Sequence, residues 1–393
     1  MTLEDQLAAC VGCGLCLPHC PTFRVTGEES HSPRGRIALI RGSIGSPGRL
    51  DSEVRSLLDT CVQCRGCEPA CPSGVQYGKI FAAAQRREEA AGGRSRFGLR
   101  VFLSLLNWPR ILDVIGRMGL LVNALPGSRR IVPSKLRITG VSLRQGPRVR
   151  RGVSEPDVWL HTGCVMNSWF RSVHRATIAL LEAGGRTVAT PRIDGACCGA
   201  LHLHTGDEHS ARKLAINVIA SMPGDAPIIV NAAGCGAMLK DYGDLFGSSD
   251  AISFSERVID IHEWIDGNLS LLQSRAGDPP DTNVKKTFVV QEPCHLRNVQ
   301  KVCVADVLER FVPVHRLDDD GLCCGAGGAY SILQSKMAAD IRERKSQGIR
   351  RLEVDGDAVV VTANPGCHIH LAAGGHRMIS SVEVIAESLG LKY

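Results

Sequence analysis

Cys10-Val-Gly-Cys13-Gly-Leu-Cys16-Leu-Pro-His-Cys20-Pro21 and Cys61-Val-Gln-Cys64-Arg-Gly-Cys67-Glu-Pro-Ala-Cys71-Pro72 are two copies of one spacing, C-x2-C-x2-C-x3-C-P. Three thiols two residues apart can wrap one face of a metal cluster, while the fourth leaves along a helix toward a second centre. The proline after it turns the chain away, because it has no backbone N–H to donate. A zinc ribbon uses four ligands in two pairs and would leave the third cysteine of each run without a role.

The spacing is that of bacterial two-cluster ferredoxins. It assigns Cys10, Cys13, Cys16 and Cys71 to one 4Fe–4S cluster, and Cys20, Cys61, Cys64 and Cys67 to the other. The chain has 17 cysteines in 393 residues, grouped in tight runs, and four fall within the first 20 residues where a secretory signal would need an apolar core. Metal binding in a reducing cytoplasm is therefore expected in place of disulfides.

Charge is uneven along the chain. Residues 1–150 carry 22 Lys and Arg against 11 Asp and Glu, whereas 151–393 carry 24 against 29. The excess lies in 92–150, where twelve basic residues face Asp113 alone. Such a stretch could meet nucleic acid, an anionic membrane or an acidic partner, although a solvated face is the commoner meaning of this composition. Within it, 97–106 and 111–125 read as two helices split at Pro109, both too short to span a bilayer. Residues 126–155 read as an irregular connector.

Beyond 155 the chain repeats itself. Val158-Trp-Leu-His-Thr-Gly-Cys164 matches Phe288-Val-Val-Gln-Glu-Pro-Cys294. Ala196-Cys-Cys-Gly-Ala200 matches Leu322-Cys-Cys-Gly-Ala326, and Ile228–Cys235 matches Val359–Cys367. The cysteines recur at 130, 126 and 132 residues, which marks a duplicated unit. Apolar runs ending at cysteines, with helical segments such as 173–182 and 211–221 between them, predict β-α-β-α-β and a parallel sheet in each half. The fold class expected is α+β multidomain: an α-helical ferredoxin domain (1–85), a basic helical connector (86–155) and two α/β Cys-Cys-Gly domains (156–275 and 285–393). Each half supplies four thiols at strand ends: Cys164, Cys197, Cys198 and Cys235, then Cys294, Cys323, Cys324 and Cys367. Thiolates at this density select iron–sulfur clusters or zinc.

This layout resembles the iron–sulfur subunit family of bacterial glycolate oxidase over essentially the whole chain. The resemblance rests on Ser32-Pro-Arg-Gly-Arg-Ile37, Cys71-Pro-Ser-Gly-Val75, Gly234-Cys-Gly-Ala237, Leu322-Cys-Cys-Gly325 and Val361-Thr-Ala-Asn364. It implies an oxidoreductase subunit that passes electrons from an FAD-containing partner, which oxidises glycolate to glyoxylate, to a quinone-type acceptor. It places the protein in the cytoplasm or peripherally on the cytoplasmic face of the membrane. The wider superfamily includes subunits for D-lactate and glycerol-3-phosphate oxidation and heterodisulfide reductase subunits. In the last of these each repeat ends in C-x2-C, whereas here Met238 and His370 stand at the second cysteine positions. Thioether is a weak ligand and imidazole a competent one, so His370 is a candidate extra ligand.

Other features read as structural. Gly325-Ala-Gly-Gly-Ala-Tyr330 lacks the Lys-Ser/Thr of a phosphate loop, and no dinucleotide fingerprint is evident, so the flavin and the hydroxy acid belong to another chain. Cys303 reads as a small buried hydrophobe, and His202 and His204 as solvated or hydrogen-bonded histidines. No catalytic triad or carboxylate pair is expected, and no nucleic-acid partner.

Two expectations are testable at this level. Residues 1–85, reconstituted anaerobically, should bind about eight irons as two four-iron cubes, measured by iron and sulfide analysis; saturation at four irons, or uptake of zinc, refutes the assignment. Charge reversal at Arg129, Arg130, Lys135 and Arg137 should weaken association of the chain with its partner or membrane fraction in pull-down, with added salt weakening the wild-type contact too. Unchanged co-purification would show that the basic stretch is a solvated face.

Overall fold

A computed structural model describes residues 3–43, 48, 50–92, 97–124, 148–149, 151–191, 197–275, 287–319, 321–352 and 358–393. Arg129, Arg130, Lys135 and Arg137, with most of the connector, lie outside them.

Short helices carry the N-terminal unit. The Cys20-Pro21 step opens Pro21–Thr26, with proline at the first helical position where its missing N–H is not needed. Pro33–Ser43 begins likewise, and Tyr77–Ala90 follows the second cysteine run. Their apolar faces close a small core of Leu7, Ile37, Ile40, Leu58, Ile80 and Phe81.

The predicted pair of helices forms as Phe97–Leu105 and Pro109–Ala124, with Pro109 as the first residue of the second. One face of the second packs on the first Cys-Cys-Gly half. The Trp169 indole N–H donates to Leu112 O at 2.9 Å, and Gly116 leaves room for that ring. Asp113, the acid of the basic stretch, pairs with Arg148 and Arg171. Val114, Ile115 and Met118 on the second helix's other face are exposed, as are Val101 and Phe102 of the first helix and Trp108 between the two. No helix among the described residues is long and apolar enough to cross a membrane.

Each half of the remainder is built on a four-stranded parallel sheet. The first has β1 (Val158–Leu160), β2 (Val188–Ala189), β3 (Ile228–Val230) and β4 (Val258–Asp260) in the order β2-β1-β3-β4. The second has β5 (Thr287–Val290), β6 (Val314–Arg316), β7 (Ala358–Thr362) and β8 (Arg377–Ser380) in the order β6-β5-β7-β8. The three-strand expectation is thus corrected to four. β4 and β8 sit at sheet edges, and each is too short or too polar to stand out as an apolar run. The central β3 and β7 are buried at every residue, as strands covered by helices on both faces must be. The helices predicted at 173–182 and 211–221 run as Arg171–Ala183 and Glu208–Ser221.

The two halves share one core, in which Leu160, Val173 and Ile229 join Val361, Val382 and Ile385. Fully burying a side chain of this size contributes about 1.5–3 kcal/mol, so separating the halves would forfeit many such terms. They meet at the carboxyl ends of β3 and β7, where Ala233 N donates to Ala363 O at 3.2 Å. A second joint lies at the ends of β4 and β8. Ser381 Oγ donates to His262 Nε2 at 2.8 Å, and His262 Nδ1 donates to Asp260 Oδ1 at 2.7 Å. The series imitates a catalytic triad, but all three side chains are buried within the joint and offer no access to substrate.

Candidate metal centres

The first cysteine run turns through Gly12 and Gly14, both with positive φ. Cys10, Cys13, Cys16, Cys67 and Cys71 line one small hollow. Arg34 closes it by donating to Gly12 O at 2.7 Å while paired with Glu29. Burial pushes the Cys16 thiol up to about 11.

The second run follows the same path, but Gln63 (φ 58°) and Arg65 (φ 56°) stand where the first has glycines. Left-handed backbone costs a non-glycine residue about 1–2 kcal/mol. Here both side chains reach into the rest of the protein. Gln63 donates to His204 O at 2.7 Å, and its own carbonyl accepts from His295 Nε2 at 3.0 Å. Arg65 pairs with Glu68 and with Asp241, which follows the Cys235 helix. Asn298 donates to Cys64 O and Tyr330 to Thr60 O, each at 3.0 Å. Cys20, Cys61 and Cys64 all act electrostatically on Cys67, so these four thiols also come together.

Arg36 lies beneath this second set, 1 % exposed. It donates to His31 O and Leu57 O and to the hydroxyls of Thr22 and Thr60, at 2.8–3.1 Å. None of its partners among the described residues is a carboxylate. Burial alone would lower its pKa; the charges of Cys61, Tyr77 and Cys20 outweigh that and raise it. The neighbouring thiols can serve as its countercharge only once they give up their protons.

In the first Cys-Cys-Gly half, Cys164, Cys197, Cys198 and Cys235 form a connected series, with Cys198 and Cys235 sulfurs 3.5 Å apart. Gly199 (φ 83°) lets the pair turn inward, and a Cβ there would lie 2.9 Å from Ala211 O. The second half repeats this with Cys294, Cys323, Cys324 and Cys367, the Cys294 and Cys323 sulfurs 3.8 Å apart. Gly325 (φ 89°) meets Ala338 O in the same way. Tyr242 donates to Cys198 O at 2.8 Å, bracing the first pair. Cys64 of the second ferredoxin run packs in one cluster with Cys294 and Cys323. Cys164, Cys197 and Cys198 are held protonated: bonding from Cys197 and burial raise Cys164. At Cys197 the lowering by Cys164 is outweighed by Cys198 and burial, which push it up to about 12. Such thiols become ligands only when a metal's charge offsets burial.

No three His, Cys, Asp or Glu side chains among the described residues are arranged to hold a single metal ion.

The remaining candidates divide. His370 lies near Cys324 but donates Nε2 to Ala338 O at 3.2 Å; Met238 is buried in the first-half core. Cys303 is half-buried and its thiol donates to Glu292 Oε1 at 3.3 Å, which corrects its reading as a plain hydrophobe. His202 is buried and bonded through Nδ1 to Asp207. His204 stacks near His295 at 5.5 Å, and burial lowers its pKa to about 3. The Gly325–Tyr330 segment is a place of close approach: a Cβ at Gly327 would lie 3.1 Å from Val62, and one at Gly328 would collide with Leu201. Sequence reasoning passed over His161, which is buried near the first site and held neutral by burial, with a pKa of about 4. A lone histidine ending an apolar strand gives no pattern by which to single it out.

A cavity of about 430 Å³ opens beside Cys61. Phe81, Leu99, Tyr330 and Leu333 give it apolar walls, and His204 and Gln85 border it.

Arg36→Met should destabilise the folded protein by about 3–5 kcal/mol, because four buried acceptors lose a charged donor together. Denaturant unfolding measures this, and a loss below about 1 kcal/mol would show that the site tolerates an apolar side chain.

Comparison with known proteins agrees with this architecture. The family described as 4Fe-4S dicluster domain matches residues 6–75, and the Cysteine-rich domain matches 158–240 and 288–372. A probable glycolate oxidase iron-sulfur subunit of Bacillus subtilis is 32% identical over 95% of this chain and 90% of its own length. The glycolate oxidase iron-sulfur subunit of Escherichia coli is 29% identical over 98% and 95%. More distant is a dihydromethanophenazine:CoB–CoM heterodisulfide reductase component of Methanosarcina barkeri, 24% identical over 98% and 95%. Doubled cysteine runs, paired parallel sheets and near-full-length similarity together place the chain in the family of glycolate oxidase iron–sulfur subunits, electron-transferring members of oxidoreductase complexes.

Proposed function

We propose that this chain carries electrons within a complex whose FAD-containing partner oxidises glycolate to glyoxylate, and that it delivers them to a quinone-type acceptor. The oxidation releases two electrons and two protons, and the hydroxy acid is handled by the partner. Bound iron–sulfur clusters would supply single-electron storage and transfer. Cys10, Cys13, Cys16 and Cys71 hold one; Cys20, Cys61, Cys64 and Cys67 hold the next. The Cys-Cys-Gly quartets hold a further metal group each.

The observation that carries this reading is the meeting of Cys64 with Cys323. Two proposed ligand sets from distant parts of the chain pack into one cluster there, so electron passage between them crosses little protein. Arg36 holds positive charge beneath the same set and favours its more negative, reduced form. The Cys61 cavity is sized for a small planar acceptor at the same point. The exposed apolar face of Phe97–Ala124, with Arg110 and Arg117 exposed on it, suits a peripheral cytoplasmic membrane surface. The division into 1–85, 86–155, 156–275 and 285–393 belongs to this proposal.

Cys324→Ser in the assembled complex should abolish reduction of a quinone-type acceptor while glycolate still bleaches the partner's flavin in a single turnover. If Cys324→Ser and Cys198→Ser both assemble and keep wild-type steady-state turnover, the second part of the chain is structural and electrons leave from the ferredoxin unit.

A further inference from the structure

His161 is the one described buried histidine with neither ring nitrogen partnered; it is 2 % exposed. A neutral imidazole carries one donor and one acceptor, and each left unmet in the interior costs about 1–3 kcal/mol. The same fold satisfies its neighbours. His174 donates Nε2 to Thr162 O at 2.9 Å and accepts from Asn231 through Nδ1 at 3.0 Å, and both nitrogens of His262 are engaged.

His161 Nε2 faces a space shared with the first Cys-Cys-Gly site. A Cβ built on Gly163 would lie 3.6 Å from Nε2 and 3.9 Å from Cys235 Sγ, so both border one point. Gly163, at φ +60°, keeps that point open. The second half is different at both positions. Gln291 replaces His161, donates to Glu292 O and accepts from Thr362 Oγ1 at 2.9 Å; Pro293 replaces Gly163. The second half therefore meets its own polar needs there, whereas the first leaves an imidazole waiting on something the polypeptide does not supply.

We propose that His161, through Nε2, is a nitrogen ligand of the metal group held by Cys164, Cys197, Cys198 and Cys235, so that the first site is mixed thiolate–imidazole and differs from the second. Imidazole binds iron and zinc alike, so the donor chemistry suits either group. The inference rests on the reading of those four cysteines as metal ligands.

The test uses the full chain reconstituted anaerobically. Iron, sulfide and zinc analysis of Cys198→Ser against wild type identifies what the first site holds; the first-site spectrum is the difference between Cys324→Ser and the Cys198→Ser/Cys324→Ser double variant, a difference in which the ferredoxin clusters cancel. Pulsed EPR on protein made with 14N- or 15N-histidine, or the zinc absorption edge if zinc is what is lost, reads its ligands. We expect a directly bound histidine nitrogen in the first-site signal, absent in His161→Gln, which carries the second half's own residue. That variant should also release first-site metal to a chelator about ten to a hundred times faster. A first-site signal without histidine nitrogen, or one unchanged in His161→Gln, overturns the inference and leaves the cysteine reading intact. If Cys198→Ser loses no metal, both fall. Should His161→Gln misfold, isotope labelling of the wild type decides alone.

Discussion

The backbone of Cys61–Cys67 is the constraint on which the rest of the structure hangs. Bringing three thiols to one side within seven residues needs left-handed turns after the first and second cysteines. The first run meets that need with Gly12 and Gly14, at little steric expense. The second uses Gln63 and Arg65, whose combined backbone penalty is about 2–4 kcal/mol. What offsets it is docking: Gln63 and Arg65 tie the run to His204 and Asp241 in the first half, and His295 and Asn298 grip it from the second. The first run can fold locally because its turns are glycine. The second is held in shape by the two sheets on either side, so cluster geometry and domain arrangement become one property.

Electrostatics acts on the same spot. Arg36 is a buried cation without a carboxylate among its partners, an arrangement that is costly unless negative charge stands nearby. Sixteen cysteines in four quartets are mostly buried or half-buried, and where burial dominates their thiols resist ionisation. Metal binding reconciles the two: it draws off the thiol protons and leaves a net negative group that the guanidinium stabilises. Apo protein should therefore be strained most around the second run, where unmet cation and protonated thiols coincide.

Much of this was legible in the chain. The turns that bring Cys10, Cys13 and Cys16 to one side follow from spacing and from Gly12 and Gly14, because a local motif fixes local geometry. The duplication and its parallel sheets follow from apolar runs ending in cysteine, since strands covered on both faces have no polar side to alternate with. β4 and β8 were not legible: Val258-Ile-Asp260 is too short to show a period, and Arg377-Met-Ile-Ser380 sits at a half-exposed edge. Nor was the docking of Cys64 on Cys323, since periodicity carries no information about which distant surfaces meet. Gln63 and Arg65 were hidden for a different reason. Glycine announces a left-handed turn, but a residue held there by tertiary contacts does not.

The two halves began as one unit yet no longer do the same job. After Cys164 the chain enters an ordinary helix, Val165–Trp169; after Cys294 it winds as a π-helix, His295–Gln300, whose His295 and Asn298 reach the Cys61–Cys67 run. π-turns are rare and cost hydrogen-bond geometry, so they persist where a local displacement of side chains is useful. Here the displacement sets the second site against the ferredoxin unit. Among the described residues the polar contacts of the first half with that unit run through His204 O, Asp241 and surface ion pairs such as Lys79–Asp244. In exchange it keeps His161 and Gly163 where the second half has Gln291 and Pro293. Divergence has thus placed contact with the ferredoxin unit on one copy and an unpaired nitrogen donor on the other, so that, on the proposed reading of both quartets as metal sites, one would be a relay position and the other chemically distinct.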